Sequence, residues 1–213
     1  VTGKGEVFAL PDIGTFTFSV SEKASTVAKA QETATTKINK AIDYLKGEGI
    51  PEKDIKTVAY NAYPQYEWQQ EACTEFRCPP GRQILTGYQV TQSIQVKVRD
   101  TNKVGALLTG VGATGISDLS GIEFTVDDDE SIKADARAMA IADAKDKADL
   151  LADTLGVRLV RITGFWEDSG GIIYGRGGLE ATVADGKGVA ISPQVPTGEN
   201  QFVSNVTITY EIR

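Results

Sequence analysis

Residues 84–99 read ILTGYQVTQSIQVKVR, and their side chains alternate with a period of two. Val90, Ile94, Val96 and Val98 fall on one face, with Thr91, Ser93, Gln95, Lys97 and Arg99 on the other. That period belongs to a strand with one face buried. Working backwards, residues 55–68 are also strand-like, and the two runs are joined by a short loop containing Cys73 and Cys78, which predicts a long hairpin. Before it the period changes to that of a helix from Ala24 to Lys46, with Val27, Ala34, Ile38, Ala41, Ile42 and Leu45 recurring on one stripe. Gly47, Gly49 and Pro51 stop it. Two short strands precede that helix, Gly5–Leu10 and Ile13–Glu22, split by a turn at Pro11-Asp12. Phe16, Phe18 and Val20 share one face of the second.

Working forwards, Asp100-Thr101 supplies a cap, and Val104, Leu107, Leu108 and Val111 predict a short helix, followed by a strand over about 119–127. Residues 13–127 therefore read strand–helix–strand–strand–helix–strand, the split βαβ order of a ferredoxin-like fold. The expected class is α+β, a mainly antiparallel sheet with its helices on one face. A C-terminal helix-strand extension follows over 128–167. Its helix, about 131–155, places Met139, Ala140, Ala144, Leu151 and Leu155 on one stripe, and its many Ala residues predict close packing. Val157–Glu167 forms a further strand. Residues 168–200 are Gly-rich and aperiodic, an arm or long loop. The terminal strand, 201–213, alternates Val206, Ile208, Tyr210 and Ile212 with polar neighbours. The whole of 1–213 is expected to be one domain.

Composition excludes several chemistries. The 213 residues include no His, two Cys and one Met. Without imidazole there is no Ser-His-Asp or Cys-His catalysis, no His-ligated zinc and no histidine pH switch. Two thiols cannot complete a four-ligand zinc site. Net charge is −7, with 22 basic against 29 acidic residues, which argues against a nucleic-acid partner. A 41% hydrophobic content marks a globular chain, and no run of about 18 apolar residues is long enough to be a transmembrane helix. The chain opens at Val1, so removal of an N-terminal segment is expected. Cys73 and Cys78 are expected to form a local disulfide, a reading that implies an oxidising compartment, periplasmic or cell-surface; the competing reading is two unpaired thiols.

Several motifs lose their chemistry once placed on elements. Gly110, Gly112 and Gly115 match G-x-G-x-x-G, yet they close a helix instead of opening one, so carbonyls and not amides would face a pyrophosphate. Residues 170–175 imitate P-loop glycine spacing but continue with Arg176-Gly177. Asp127, Asp128, Asp129 and Glu130 offer oxygen ligands for calcium, but the spacing of a calcium loop is missing, and acidic residues before a helix serve as caps. No metal site and no cofactor is assigned. No G-x-S-x-G is present, no Ser stands three residues before a Lys, and no carboxylate pair is singled out, so there are no catalytic residues to name. Tyr60, Tyr63, Tyr66 and Trp68 punctuate the first hairpin strand, as a ligand or subunit contact or as ordinary strand composition.

Together these segments resemble the SIMPL-domain (DUF541) family. The resemblance runs through VTGKG at Val1–Gly5, Pro11-Asp12, Gly49-Ile50, Asp54-Ile55, the YPQY of Tyr63–Tyr66, Gly87-Tyr88, Val98-Arg99-Asp100, the GIEF of Gly121–Phe124, the Ala-rich stretch Ala136–Ala148, Leu155-Gly156 and Gly198-Glu199-Asn200. Within that family the chain looks like bacterial periplasmic proteins of the 26 kDa immunogenic type. The resemblance implies an α+β fold, export, and self-assembly into a ring-like or channel-like homo-oligomer in the envelope, with no established enzymatic activity. Another envelope protein is a further candidate partner. The competing expectation is a small-ligand binder or carboxylate-based enzyme using the Tyr/Trp strand.

Overall fold

The computed structural model describes residues 1–70, 80–168 and 195–213. Among these are strands β1 (Thr2–Ala9), β2 (Ile13–Ala24), β3 (Ile55–Gln69), β4 (Arg82–Val98), β5 (Asp118–Thr125), β6 (Leu159–Asp168) and β7 (Asn200–Ile212), with helices α1 (Val27–Gly47), α2 (Val104–Gly112) and α3 (Glu130–Leu155). The chain is α+β, as expected. Its described residues form two compact units, one of residues 14–123 and one of 1–13, 124–168 and 195–213. A linear reading of 1–213 as one domain does not distinguish them, because the chain leaves the second unit after β1 and returns to it at the end of β5.

The unit of residues 14–123 holds a four-stranded sheet in the order β3-β4-β2-β5. Numbered within this unit, that is the ferredoxin-like order the sequence predicts. Phe18 lies opposite Ile94 and Phe16 opposite Val96 across the antiparallel β2–β4 pair, and all four are buried. α1 packs on this face through Ala30, Ala34, Ile38, Ala41 and Leu45. Val27, expected on the stripe, is exposed in the first turn. The Thr26 hydroxyl caps the helix by accepting from the Lys29 amide, and Gly49 turns the chain out with φ +89°. Asp54, almost fully buried, accepts two hydrogen bonds from the Arg99 guanidinium at 3.0 and 3.2 Å, tying the turn after α1 to the end of β4.

The second unit is a three-stranded antiparallel sheet, β1-β7-β6, with α3 on one face. The buried stripe of α3 is Ala136, Ala140, Ala144, Ala148 and Ala152, five alanines at intervals of four. This corrects the expected stripe: Met139, Leu151 and Leu155 are exposed. The reason is the opposing strand. Gly3 and Gly5 present bare backbone to α3, and a Cβ on either would strike the Ala140 or Ala136 carbonyl oxygen. Helix and strand approach at backbone distance, so only methyl groups fit the seam and the longer side chains are displaced to its flanks. β7 contributes Phe202, Val206 and Ile208 to the core; Ile212, expected inside, is exposed near the strand end. Buried Asn200 donates through Nδ2 to the Phe124 carbonyl at 2.9 Å, and the Asp12 carboxylate accepts from the Asp127 amide at 2.8 Å.

Candidate functional site

β3 is the outer strand of its sheet, and the β2–β4 register ends at the pair Ala24–Tyr88. Beyond that point β3 and β4 continue as a two-stranded ribbon, pairing Tyr66 with Leu85 and Trp68 with Gln83. The approach of β2 is fixed by Gly87, where a Cβ would stand 2.6 Å from the Ala24 carbonyl oxygen. The register skips Thr86, so the β-bulge lies on β4 and alternation along β3 is unbroken from Ala59. Tyr60, Tyr66 and Trp68 therefore share a face, and Tyr63 projects from the other. All four are exposed, Trp68 at 65%. The Trp68 indole lies across Gly81, where any Cβ would collide with the ring.

The ribbon's chemistry is that of contact. Glu67 is the single carboxylate between Tyr60 and Gln70 and lies on the face opposite Trp68, so the aromatic face offers no acid–base pair. The groups with shifted titration lie elsewhere. The Lys147 ammonium, with the Lys4 amide, holds Asp143 below the usual carboxylate range. Lys4 does the same for Glu6. Burial, with Glu48 nearby, pushes the Tyr44 phenol up.

The other sequence candidates separate. Gly110 lies under the Tyr44 ring in the α1–α2 contact, and Gly115 turns the chain at φ +89°, so this glycine run serves packing and turning. Asp128 accepts from the Glu130 amide at 3.3 Å and Asp129 pairs with Lys133 at 2.7 Å. Among the described residues, no group of three or more His, Cys, Asp or Glu is placed to hold a metal. Cys73 and Cys78 lie outside the described residues, as do residues 169–194 of the Gly-rich arm. No helix among the described residues is long and apolar enough to cross a membrane.

Two surfaces escaped the sequence reading, both in the unit containing α3. One is a shallow apolar groove of about 250 Å³ walled by Leu151, Leu155, Leu159, Tyr210 and Ile212. The other is β6 itself, where Phe165 and Trp166 are both exposed. Adjacent aromatics on a strand point to opposite faces, so hydropathy alone could not say which faced solvent.

The SIMPL family model, described as a protein of unknown function (DUF541), matches residues 1–210. A protein named YggE from Edwardsiella ictaluri is 32% identical over 74% of this chain and 62% of its own length. The 26 kDa periplasmic immunogenic proteins of Brucella melitensis and Brucella abortus are 29% and 28% identical, each over 100% of this chain and 84% of theirs.

Proposed function

This chain belongs to the SIMPL family (DUF541), and on that premise we propose that it is an exported, periplasmic protein of the bacterial envelope that acts by assembling with copies of itself, in a ring-like or channel-like homo-oligomer, and not by catalysis. Periplasmic placement is supported by the names of the Brucella relatives. The observation that carries the assembly reading is the aromatic ribbon. β3 is a 15-residue edge strand, and such edges pair readily with another chain. Its exposed Tyr and Trp side chains are the types concentrated at the energetic centres of protein contacts. A pair of exposed aromatics contributes two large apolar surfaces to any contact that covers them.

The test is the native mass of the full chain and of a Tyr66→Ser/Trp68→Ser variant. The expected result is a multimer for the parent and a smaller species for the variant, with unchanged circular dichroism. A monomeric parent, or a variant of the same mass as the parent, overturns the reading.

A further inference from the structure

β1 is an outer strand of the β1-β7-β6 sheet, so every second residue turns its main-chain groups away from the sheet. Val1 and Ile208 exchange both backbone hydrogen bonds, at 2.9 and 2.8 Å, which fixes the phase of the ladder. Val1, Gly3 and Gly5 therefore bond β7, while Thr2 and Lys4 direct their N–H and C=O groups to the open side. Groups aimed outward in this way are a template for a strand of another chain.

α3 fills two of these places. The Asp143 carboxylate accepts from the Lys4 amide at 2.8 Å, and the Lys147 ammonium donates to the Thr2 carbonyl at 3.4 Å. The two side chains also pair with each other at 2.7 Å. An incoming strand would offer a C=O to the first group and an N–H to the second. Here a linked acceptor and donor stand in its place, and pairing along β1 is cut back to the half beyond Gly5.

The reach of these side chains follows from the glycines. Asp143 and Lys147 each precede an alanine of the buried stripe, Ala144 and Ala148, and so lie on the flank of the seam. Gly3 and Gly5 let the helix backbone down onto β1, so even the short Asp side chain meets the strand's amide. The opposite edge of the sheet, β6, is protected by another device. Its register shifts leave Val160 and Thr163 as extra residues, and bulges of this kind discourage edge pairing.

We infer that the Asp143–Lys147 pair is a plug for the β1 edge, which keeps this sheet from adding the β1 strand of a second copy. Identical edges meet antiparallel about a two-fold axis, so an unplugged β1 is complementary to itself. The inference does not depend on assembly through β3, an edge in the other unit.

Light scattering of the full chain over a concentration series tests it, each variant's mass being read against the parent's. Asp143→Ala/Lys147→Ala should keep its circular dichroism and grow beyond the parent's mass as concentration rises. Adding Lys4→Pro should return it to that mass, because Pro removes the outward N–H without costing β1 a bond to β7. Asp129→Ala/Lys133→Ala removes another i,i+4 ion pair, at the start of α3, and should leave the mass unchanged. A second measurement stands even if the double variant unfolds. In dilute Asp143→Ala the Lys4 amide should exchange about tenfold faster or more, the worth of a hydrogen bond to a charged group, with the Gly5 amide unaffected. An unchanged Lys4 amide, a folded double variant that does not grow, equal growth in Asp129→Ala/Lys133→Ala, or growth that survives Lys4→Pro overturns the inference.

Discussion

A Cβ added to Gly5 would stand 2.6 Å from the backbone nitrogen of Ala140, so β1 and α3 meet main chain to main chain. The same holds one row along, where a Cβ on Gly3 would come 2.5 Å from the nitrogen of Ala144. Two glycines at a strand period face alanines at a helical repeat, and each set explains the other.

Gly5→Ala should therefore overpack this seam and cost about 1–3 kcal/mol, with the whole unit loosened. Gly47→Ala is the contrast: it sits at the end of α1 with nothing within 4 Å of an added Cβ. That change should stabilise by about 0.4–1 kcal/mol through the unfolded chain. Urea denaturation of both variants checks the opposite signs.

Arg99→Ala removes the bidentate partner of a carboxylate that is only 5% exposed. Asp54 is left desolvated and underpaired, at a cost of about 1–3 kcal/mol. Arg99→Lys should recover only part of this, because an ammonium cannot reproduce the planar fork. Thermal unfolding of the two variants measures the difference.

Asp143 joins α3 to β1, accepting from the Lys4 amide at 2.8 Å and pairing with Lys147 at 2.7 Å. Its folded pKa is lowered from 3.8, so its stabilisation is present above that value and disappears as pH falls through the folded pKa. Asp143→Asn should flatten the acid limb of the stability profile while leaving the slope above pH 6 unchanged. Urea midpoints across acidic pH read this directly; an unaltered acid limb contradicts it.

Joining Cys73 to Cys78 would close a small loop, stabilising by roughly 2 kcal/mol in the chain-entropy model. Intact mass before and after reduction should differ by two hydrogens, and alkylation should label neither Cys until reductant is added. Immediate labelling of both contradicts the pairing.

The helix and strand boundaries were legible because each run carries one dominant period. The alternation at Val90–Val98 locates β4, and Gly47 with Gly49 marks the end of α1, whereas its start, capped by Thr26, lies later than the Ala24 expected. The aromatic strand was legible as composition, but its setting was not: the end of the β2–β4 register at Ala24–Tyr88, which leaves β3 and β4 as a two-stranded ribbon, depends on strand pairing. The buried stripe of α3 was misread towards Met139, Leu151 and Leu155 because hydrophobicity ranks Leu and Met above Ala, whereas the space left by Gly3 and Gly5 admits only Ala.

What the sequence determined by itself is therefore local and compositional. The absence of His, the ferredoxin-like order of 13–127 and the α+β class follow from residue types and their periods, and the family resemblance from short motifs such as VTGKG at Val1–Gly5; none of these needs knowledge of neighbours. What only tertiary structure decided is which elements meet. β1 joins β7, more than 190 residues away in the chain; the packing of α3 on β1 makes glycine necessary at positions 3 and 5, and the β6–β7 register turns Trp166 towards solvent. Pairing between distant strands fixes faces and distances, and a side chain's exposure depends on those distances as much as on its chemistry.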